Sequence, residues 1–352
     1  MPRRATKRED ERTPLDRDCD VLICGASFAG LAVARELAGS GAEVLMIDRY
    51  EIGERQTFDE LVIHTPHTTV RYGLPWTFST FDYRTLCGLL AEQTDVEFET
   101  AKVIERRGDV VVTDRGELRA PLIVDGLGWR RVLGVGDNVQ PPDALLSRGL
   151  EVHPPGGGSD LEIWIDRRYV PAGYGWSFPA DGEVRIGVGS FDPRFHVKEP
   201  TIRLATDLEA DTAGYQGNWI PHALRPATED GVFFVGDSAG HCLPLTAEGI
   251  RTALYFGIAC GRELRRVIAG EQPREQALAR YHRFSADHAS PFAWMLRVQR
   301  LIPRVAPRLL GPAVTAMGTR RFVDWSFGHY LDVAHPSFVT GAPARAVSVA
   351  LA

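Results

Sequence analysis

A short loop near the N-terminus has the glycine spacing of a phosphate-binding turn. Residues 25–30 read Gly-Ala-Ser-Phe-Ala-Gly and lie between an apolar run and a segment with helical periodicity. Gly25 permits a tight turn, and Gly30 lets the helix pack closely on the sheet. Because a helix N-terminus presents unpaired N–H groups and partial positive charge, this turn is suited to bind a pyrophosphate. The spacing therefore predicts a dinucleotide site.

Five more residues are candidates for the same site. Ser27 replaces the middle glycine of the usual pattern, and its hydroxyl could donate to a phosphate, while Phe28 and Ala29 open the helix. Asp48 ends a second apolar strand, 23 residues after the first glycine of the turn. A carboxylate there accepts hydrogen bonds from a ribose diol and disfavours a 2′-phosphate. Arg49 beside it either reaches the adenosine end or remains a solvated charge.

The predicted elements alternate between strands and helices at both ends of the chain and are strand-rich in between. We expect strands at 19–24, 43–47 and 231–235, helices at 28–40 and 248–268, and no regular period over 51–82. This order predicts an α/β fold in which a Rossmann-like nucleotide-binding domain is interrupted by a β-rich domain. The expected units are a mobile tail (1–18), the nucleotide-binding domain (19–135 and 226–270), a substrate-binding β-sheet domain (136–225) and a helical C-terminal region (271–352).

Two further motifs follow predicted strands. Residues 235–240 read Val-Gly-Asp-Ser-Ala-Gly, and residues 244–250 then open a helix with Pro-Leu-Thr-Ala-Glu-Gly-Ile. An Asp-Gly pair at residues 125–126 also follows a strand. With these motifs the sequence resembles the FAD-dependent oxidoreductases that share the fold of the aromatic hydroxylases and the geranylgeranyl reductases.

The resemblance implies FAD as the cofactor and assigns further residues to it. Asp237 of the Gly-Asp motif would bind the ribityl chain and pyrophosphate end, together with Gly236. The helix that begins near Gly249 and Ile250 would point its positive N-terminus at the flavin pyrimidine. Asp125 matches the family's Asp-Gly segment.

An aromatic segment in the β-rich block is the candidate substrate site. Residues 171–179 read Pro-Ala-Gly-Tyr-Gly-Trp-Ser-Phe-Pro, so Tyr174, Trp176 and Phe178 share one face of a predicted strand. Periodicity alone is more typical of a hydrophobic core than of a pocket. However, the segment resembles the P-x-x-Y-x-W-x-F-P motif of the geranylgeranyl reductase family at every fixed position. In that family the motif lines the substrate pocket beside the flavin, so these three side chains are expected to bind substrate.

The resemblance favours an FAD-dependent enzyme that reduces C=C bonds of an isoprenoid or other lipid-like substrate by hydride transfer. The alternative is a flavin-dependent monooxygenase, a hydroxylase or epoxidase that uses O₂ and NAD(P)H; a non-catalytic nucleotide-binding protein is a third hypothesis. The chain carries only one Rossmann-type turn, so the flavin is expected to be reduced by NAD(P)H that binds transiently or by another electron donor. No catalytic residue is assigned, although His64 with His67, or His241 with Cys242, are candidates to touch the flavin or donate a proton. No metal site is expected.

The charge is distributed unevenly along the chain. The formal net charge is −6, which argues against nucleic-acid binding, yet residues 262–321 contain 12 arginines and 4 acidic residues, a net charge of +8. Four of these arginines recur every three or four residues and would share one helical face: Arg297, Arg300, Arg304 and Arg308. Such a face is either solvated, in peripheral contact with an anionic membrane or bound to a phosphorylated lipid head, although Pro303 and Pro307 interrupt it. We expect a cytoplasmic protein, with membrane association as a further hypothesis.

Overall fold

The computed structural model describes residues 15–26, 28–48, 55–81, 83–135, 144–180 and 182–340. Within these residues the strands are β1 (Arg17–Asp18), β2 (Val21–Cys24), β3 (Val44–Asp48), β4 (Arg55–His64), β5 (Thr69–Phe81), β6 (Glu97–Thr100), β7 (Val103–Arg107), β8 (Val110–Thr113), β9 (Gly116–Arg119), β10 (Leu122–Asp125), β11 (Leu146–Val152), β12 (Leu161–Trp164), β13 (Gly173–Ala180), β14 (Glu183–Ser190), β15 (Gln216–Pro221), β16 (Thr228–Glu229) and β17 (Val232–Phe234). The helices are α1 (Phe28–Leu37), α2 (Tyr83–Ala91), α3 (Lys198–Asp207), α4 (Ile250–Ile268), α5 (Arg274–Ala286), α6 (Ala289–Leu301), α7 (Pro307–Met317), α8 (Arg320–Asp332) and α9 (Ser337–Thr340), with 3-10 turns at Gly236–Ala239 and Ile302–Arg304.

A mostly parallel sheet forms the nucleotide-binding half. Its strand order is β16-β17-β10-β2-β3-β6, and only β16 runs antiparallel to its neighbour. Every residue of β2 and of β10 is buried, which is typical of parallel strands covered on both faces. The chain leaves β2 to one side for β3 and later returns on the other side as β10. This reversal makes the carboxyl ends of β2 and β10 the expected place for a ligand.

The second large sheet has the order β15-β11-β14-β13-β12-β4-β5 and is antiparallel except where β4 pairs with β12. Its hairpin β4–β5 occupies residues 55–81, most of a segment that was expected to be irregular; that prediction is wrong. The segment has no clean alternation because Arg71 and other polar side chains form ion pairs along it, as with Glu60 and Asp160. The pairing with β12 joins this hairpin to the large sheet and not to the nucleotide-binding sheet. The other domain boundaries stay predictions.

The first described residues are part of the folded structure. β1 pairs in parallel with β9 in a small sheet of order β1-β9-β8-β7, and Leu15 is buried. The backbone N–H of Leu15 donates to the carbonyl of Arg115 at 2.6 Å. The expectation of a mobile tail is therefore wrong for residues 15–18, because an apolar side chain and a strand pairing hold them; residues 1–14 lie outside the described residues.

Helix α4 packs against helix α1 through glycines. An ideal Cβ built on Gly257 would lie 2.5 Å from the carbonyl oxygen of Ala29, and one on Gly261 would lie 2.6 Å from the Cβ of Glu36. Two helix backbones can approach this closely only where side chains are missing. The contact places the first turn of α1 beside α4 and so positions both helices over the parallel sheet.

The C-terminal region is helical, but its arginines do not share one helical face. Arg297 and Arg300 lie on α6, Arg304 lies in the following 3-10 turn, and Arg308 lies in the first turn of α7. The expected single face is wrong because Pro303 and Pro307 lack the N–H that a continuous helix needs. Over the described residues, no helix is both long enough and apolar enough to span a bilayer.

We expect Gly257→Ala to lower the free energy of unfolding by about 1–3 kcal/mol, because its methyl group must displace the backbone of α1. The matched control is Gly328→Ala on α8, where a Cβ meets no atom within 4 Å. That change should raise the free energy of unfolding by about 0.5–1 kcal/mol through helix propensity alone. Denaturant unfolding of both variants measures the difference; equal stabilities would show that the α1–α4 contact is not close.

Candidate flavin and substrate site

Gly25 lies at the point where the strand order reverses. Its φ is +109°, and an ideal Cβ there would lie 2.4 Å from the carbonyl oxygen of Gly126, which follows β10. The N–H of Gly25 donates to the carbonyl of Ile47 on β3 at 2.8 Å, and the N–H of Gly126 donates to the carbonyl of Cys24 at 2.6 Å. The predicted tight turn is thus present, and two backbones that cross at the strand ends require it to be glycine.

The start of α1 is packed as the glycine pattern predicts. A Cβ on Gly30 would lie 1.9 Å from the carbonyl oxygen of Gly25, so the first helical turn rests directly on the loop before it. Phe28 and Ala29 are buried in that turn, and a Cβ on Gly236 would lie 3.2 Å from the Cβ of Ala29. The Gly-Asp motif after β17 is therefore in contact with the first glycine loop.

Three of the predicted cofactor contacts fall partly or wholly outside the described residues. Ser27 and Arg49 lie outside them, as does the side chain of Asp48. The backbone of Asp48 ends β3 and pairs with Thr100 of β6, at the carboxyl edge of the parallel sheet. Their roles toward a ribose and a phosphate stay predictions.

Asp125 is fully buried, and its carboxylate is occupied by the protein itself. Oδ1 accepts hydrogen bonds from the N–H of Leu127 at 2.9 Å and from the hydroxyl of Ser238 at 2.6 Å, while Oδ2 accepts from the N–H of Leu133 at 2.9 Å. Burial raises the pKa of Asp125, and these three hydrogen bonds oppose that rise. The side chain ties the loop after β10 to the Gly-Asp turn, and its predicted contact with the cofactor stays a prediction.

Asp237 differs from Asp125 because its carboxylate is not occupied by hydrogen bonds from the part of the chain that the structure describes. Among the described residues no hydrogen bond to its carboxylate is formed, and burial raises its pKa to about 6 in spite of the nearby positive charge of Arg225. Arg225 is itself held in place, since its Nη1 donates to the carbonyl of Trp129 at 2.6 Å. Asp237 is partly buried, and a partly buried carboxylate without a donor among the described residues gains from a ligand that supplies one. Asp237 is therefore available to a bound group.

Helix α4 begins beside this carboxylate. A Cβ on Gly249, the N-cap residue, would lie 3.8 Å from Oδ1 of Asp237 and 3.5 Å from Sγ of Cys242, and Ile250 is exposed in the first turn. Neither α1 nor α4 carries an acidic side chain in its first turn. The N-terminus of α1 is thus left without an acidic side chain in its first turn, as an anion-binding site requires, while the carboxylate of Asp237 lies beside the N-terminus of α4.

These features fit FAD. The glycine cradle at Gly25 and Gly30 leaves no room for a side chain, the carboxylate of Asp237 accepts no hydrogen bond from the described residues, and two helix N-termini lie at the same edge of the sheet. A pyrophosphate and a polyhydroxyl chain are the groups that such a set of donors and acceptors would hold.

The three predicted substrate-site aromatics lie on one face of β13, as the alternation predicts. The indole of Trp176 lies flat on glycines of the neighbouring strands: a Cβ on Gly187 would lie 2.3 Å from its ring and one on Gly189 would lie 3.3 Å away. Its Nε1 donates to Oε2 of Glu151 at 3.1 Å. The opposite face, at Gly175, is covered by Leu204 of α3. Phe178 is half-buried on the same face as Trp176.

Tyr174 connects this aromatic face to the nucleotide-binding half. Its hydroxyl donates to the carbonyl of Thr246 at 2.6 Å, in the loop just before α4. Burial raises the pKa of Tyr174, so the hydroxyl keeps its proton at neutral pH. Thr246 Oγ1 lies 3.2 Å from the hydroxyl of Tyr330, which donates to Oε2 of Glu248 at 2.5 Å. Helix α8 therefore fixes the same loop from its other side.

The candidate histidines differ in their exposure and lie in separate parts of the fold. Nδ1 of His64 lies 3.0 Å from Oγ1 of Thr69, and its ring stacks on Trp164 within the large sheet. His67 is exposed in the turn that joins β4 to β5. His241 is fully buried, stacks on Phe256 at 3.7 Å, and burial lowers its pKa well below the usual value. Among the described residues, no hydrogen bond or ring contact joins these three histidines to the aromatic side chains of β13.

Several site residues carry no recognisable sequence signal. Arg225 beside Asp237, Thr246, and the Glu248–Tyr330 pair become visible only in three dimensions. Gly187 and Gly189, which make room for Trp176, alternate along β14, and that alternation beside an aromatic strand is the one signal that could have identified them.

No family model matches the sequence. Among curated proteins, the chain is 25% identical over 335 residues to digeranylgeranylglycerophospholipid reductase 3 of Methanosphaera stadtmanae, covering 77% of this chain and 83% of that protein. It is 24% identical over 367 residues to digeranylgeranylglycerophospholipid reductase 2 of Methanopyrus kandleri, covering 85% and 90%.

Solved structures give the same fold. A geranylgeranyl bacteriochlorophyll reductase-like protein from Thermoplasma acidophilum superposes with a TM-score of 0.73 at 17% identity, covering 92% of this chain and 98% of that one. The probable FAD-dependent monooxygenase PqsL from Pseudomonas aeruginosa gives a TM-score of 0.57 at 17% identity, covering 81% and 98%.

The chain has the Rossmann-like fold of the FAD-dependent flavoproteins, which confirms the predicted fold class. Within that class its curated homologues are named reductases of the geranylgeranyl reductase type, which confirms the resemblance seen in the motifs.

We expect Asp237→Asn to stabilise the flavin-free protein while weakening flavin binding. The pKa of Asp237 in the folded protein, about 6, lies above the usual value of 3.8, so the folded state holds the proton more tightly. The free energy of unfolding should therefore fall between about pH 4 and pH 6 in the parent, and the asparagine variant should lack this fall. Above pH 6 the variant should be more stable by on the order of 1–3 kcal/mol.

Denaturant unfolding of flavin-free protein across this pH range, with FAD titration beside it, measures both effects. FAD affinity should drop at least tenfold, about 1.4 kcal/mol. The control is Asp109→Asn, an exposed position in the turn between β7 and β8, which should change neither quantity. Unchanged FAD affinity in the Asp237→Asn variant would show that this residue does not contribute to cofactor binding.

Proposed function

We propose that the chain is an FAD-dependent reductase that saturates C=C bonds of an isoprenoid or similarly lipid-like substrate. The observation that carries the proposal is the hydrogen bond from Tyr174 to Thr246, because it sets the aromatic face of β13 against the loop that opens α4. The names of the curated relatives support the substrate class. Apolar aromatic side chains with few polar groups suit a hydrocarbon chain.

Each part of the site has a proposed task. Gly25, Gly30, Gly236, Asp237, Gly249 and the N-termini of α1 and α4 hold the cofactor, while Tyr174, Trp176 and Phe178 hold the alkene. FAD, when bound, supplies the hydride. The protein excludes water with the aromatic face and keeps protons on the Tyr174 hydroxyl and the Cys242 thiol, since burial raises both pKa values. NAD(P)H is the proposed electron donor and binds transiently.

The first test is anaerobic. Enzyme whose flavin has been reduced with NADPH should re-oxidise when geranylgeranyl compounds are added, and the product should carry fewer double bonds. Trp176→Ala should slow this re-oxidation at least tenfold without releasing flavin, because the indole forms the wall of the alkene site and does not touch the glycine cradle.

The control is Trp325→Ala, an exposed indole on α8, which should leave the re-oxidation rate unchanged. Re-oxidation that occurs only with O₂, with oxygen incorporated into the product, would contradict the reductase and support a monooxygenase. If the purified protein retains no flavin, both the reductase and the monooxygenase would be contradicted, and a non-enzymatic role would be favoured.

We also propose peripheral contact with an anionic membrane through α6 and α7. Large apolar side chains stand exposed there, with Trp294 at 53%, Leu301 at 57% and Leu309 at 55%. The arginines Arg297 and Arg308 are exposed on the same two helices. Exposed aromatic and aliphatic groups flanked by arginine are typical of surfaces that lie in the interface of a bilayer.

Co-sedimentation with vesicles of phosphatidylcholine and phosphatidylglycerol tests this contact. Arg297→Gln with Arg308→Gln should weaken binding about 30-fold at low salt, from about 1 kcal/mol per arginine. The control pair is Arg280→Gln with Arg283→Gln on α5, both exposed. Equal binding to vesicles of phosphatidylcholine alone, or no sedimentation at all, would contradict the proposal.

A further inference from the structure

A groove of about 330 Å³ lies at the edge of the large sheet, separate from the glycine cradle. The segments that follow β14 and β15 form one wall. The end of α6 and the 3-10 turn after it form the other, so this groove exists only because Pro303 ends the helix and turns the chain.

The groove is strongly basic. Arg194, Arg300 and Arg304 line it against a single acid, Asp192, whose Oδ1 already accepts the backbone N–H of Arg194 at 2.9 Å. Neither Arg300 nor Arg304 forms an ion pair with any acid in the part of the chain that the structure describes. Their positive charges are therefore not neutralised within this part of the protein.

His222 is the remaining titratable group on the wall. Burial, and after it the charge of Arg300, lowers its pKa to about 4, so the imidazole is neutral at pH 7 and does not add to the charge. Its Nδ1 lies 2.8 Å from Oγ of Ser147, which fixes the ring. The charge of the groove that no acid of the described residues pairs with is thus that of Arg300 and Arg304.

The floor of the groove is apolar and leads toward the proposed substrate site. Phe191 lines the groove, and its ring meets the ring of Tyr174 edge-on at 6.0 Å. Gln299, buried in the same wall, donates to the carbonyl of Pro244 and so fixes α6 to the loop that opens α4. The ring of Tyr174 in turn lies 6.0 Å from that of Trp176, so Phe191 and these two aromatic side chains form a continuous series.

We infer that this groove binds the phosphate or diphosphate head of an amphiphilic substrate, whose hydrocarbon chain runs over Phe191 to the aromatic face of β13. Guanidinium groups form forked, charge-assisted hydrogen bonds with phosphate oxygens, and an apolar floor beside them suits the first carbons of the chain. The inference rests on the proposed function, since it names the head group of the same substrate. A free phosphate ion offers the same head chemistry without the chain.

Calorimetric titration of the FAD-loaded enzyme, without turnover, tests the inference with farnesyl phosphate, farnesol and inorganic diphosphate. Farnesyl phosphate, used below its aggregation concentration, should bind at least tenfold more tightly than farnesol and than diphosphate. Arg300→Gln with Arg304→Gln should remove at least tenfold of the affinity for farnesyl phosphate and leave that for farnesol unchanged. Retained FAD and an unchanged thermal midpoint verify that this variant folds.

The matched control is Arg280→Gln with Arg283→Gln on α5, which removes two exposed arginines that neither line the groove nor belong to the proposed membrane contact. It should leave all three affinities unchanged. Equal affinities for farnesyl phosphate and farnesol, or diphosphate binding as tight as that of farnesyl phosphate, would overturn the inference. Because binding is measured apart from re-oxidation, an enzyme that binds the phosphate head but reduces no alkene would contradict the proposed function alone.

Discussion

The hydrogen bonds of one buried carboxylate hold the nucleotide-binding edge together. Asp125 ends β10, and its two oxygens accept from the loop that follows β10 and from Ser238 in the turn that follows β17. That loop carries Gly126, whose carbonyl oxygen leaves no room for a side chain on Gly25, and that turn carries Asp237. If Asp125 were replaced, the three strand ends would lose their common anchor, and a full desolvation penalty would remain for the buried donors.

The two aspartates of this edge show how the fold divides stability from binding. Asp125 is satisfied by the protein, so its burial stabilises a particular arrangement of loops. Asp237, which directly precedes Ser238, has a raised pKa and accepts no hydrogen bond from the described residues, so the folded protein carries a cost that a ligand would relieve. Such unsatisfied groups are expected at functional sites, where local stability is traded for affinity.

The sequence predicted those parts of the molecule that depend on local chemistry. The turn at Gly25, the start of α1 and the single face of Tyr174, Trp176 and Phe178 follow from glycine conformation and from the two-residue repeat of a strand, which act over a few residues. The hairpin over residues 55–81 could not be predicted, because its polar side chains are paired with distant partners such as Asp160. The site also includes Arg225, Thr246 and Tyr330, which belong to it through tertiary contacts alone. Their positions in the sequence follow no periodic pattern.

The C-terminal arginines show how two prolines change what a charge pattern means. On one continuous helix, Arg297, Arg300, Arg304 and Arg308 would form a single basic face. Because Pro303 and Pro307 break the chain into α6, a 3-10 turn and α7, Arg300 and Arg304 turn into a groove beside Phe191, while Arg297 and Arg308 do not line it. A spacing of three or four residues predicts a shared face only if the helix is continuous, and here it is not. The four arginines are therefore divided between the groove and the exposed surfaces of α6 and α7.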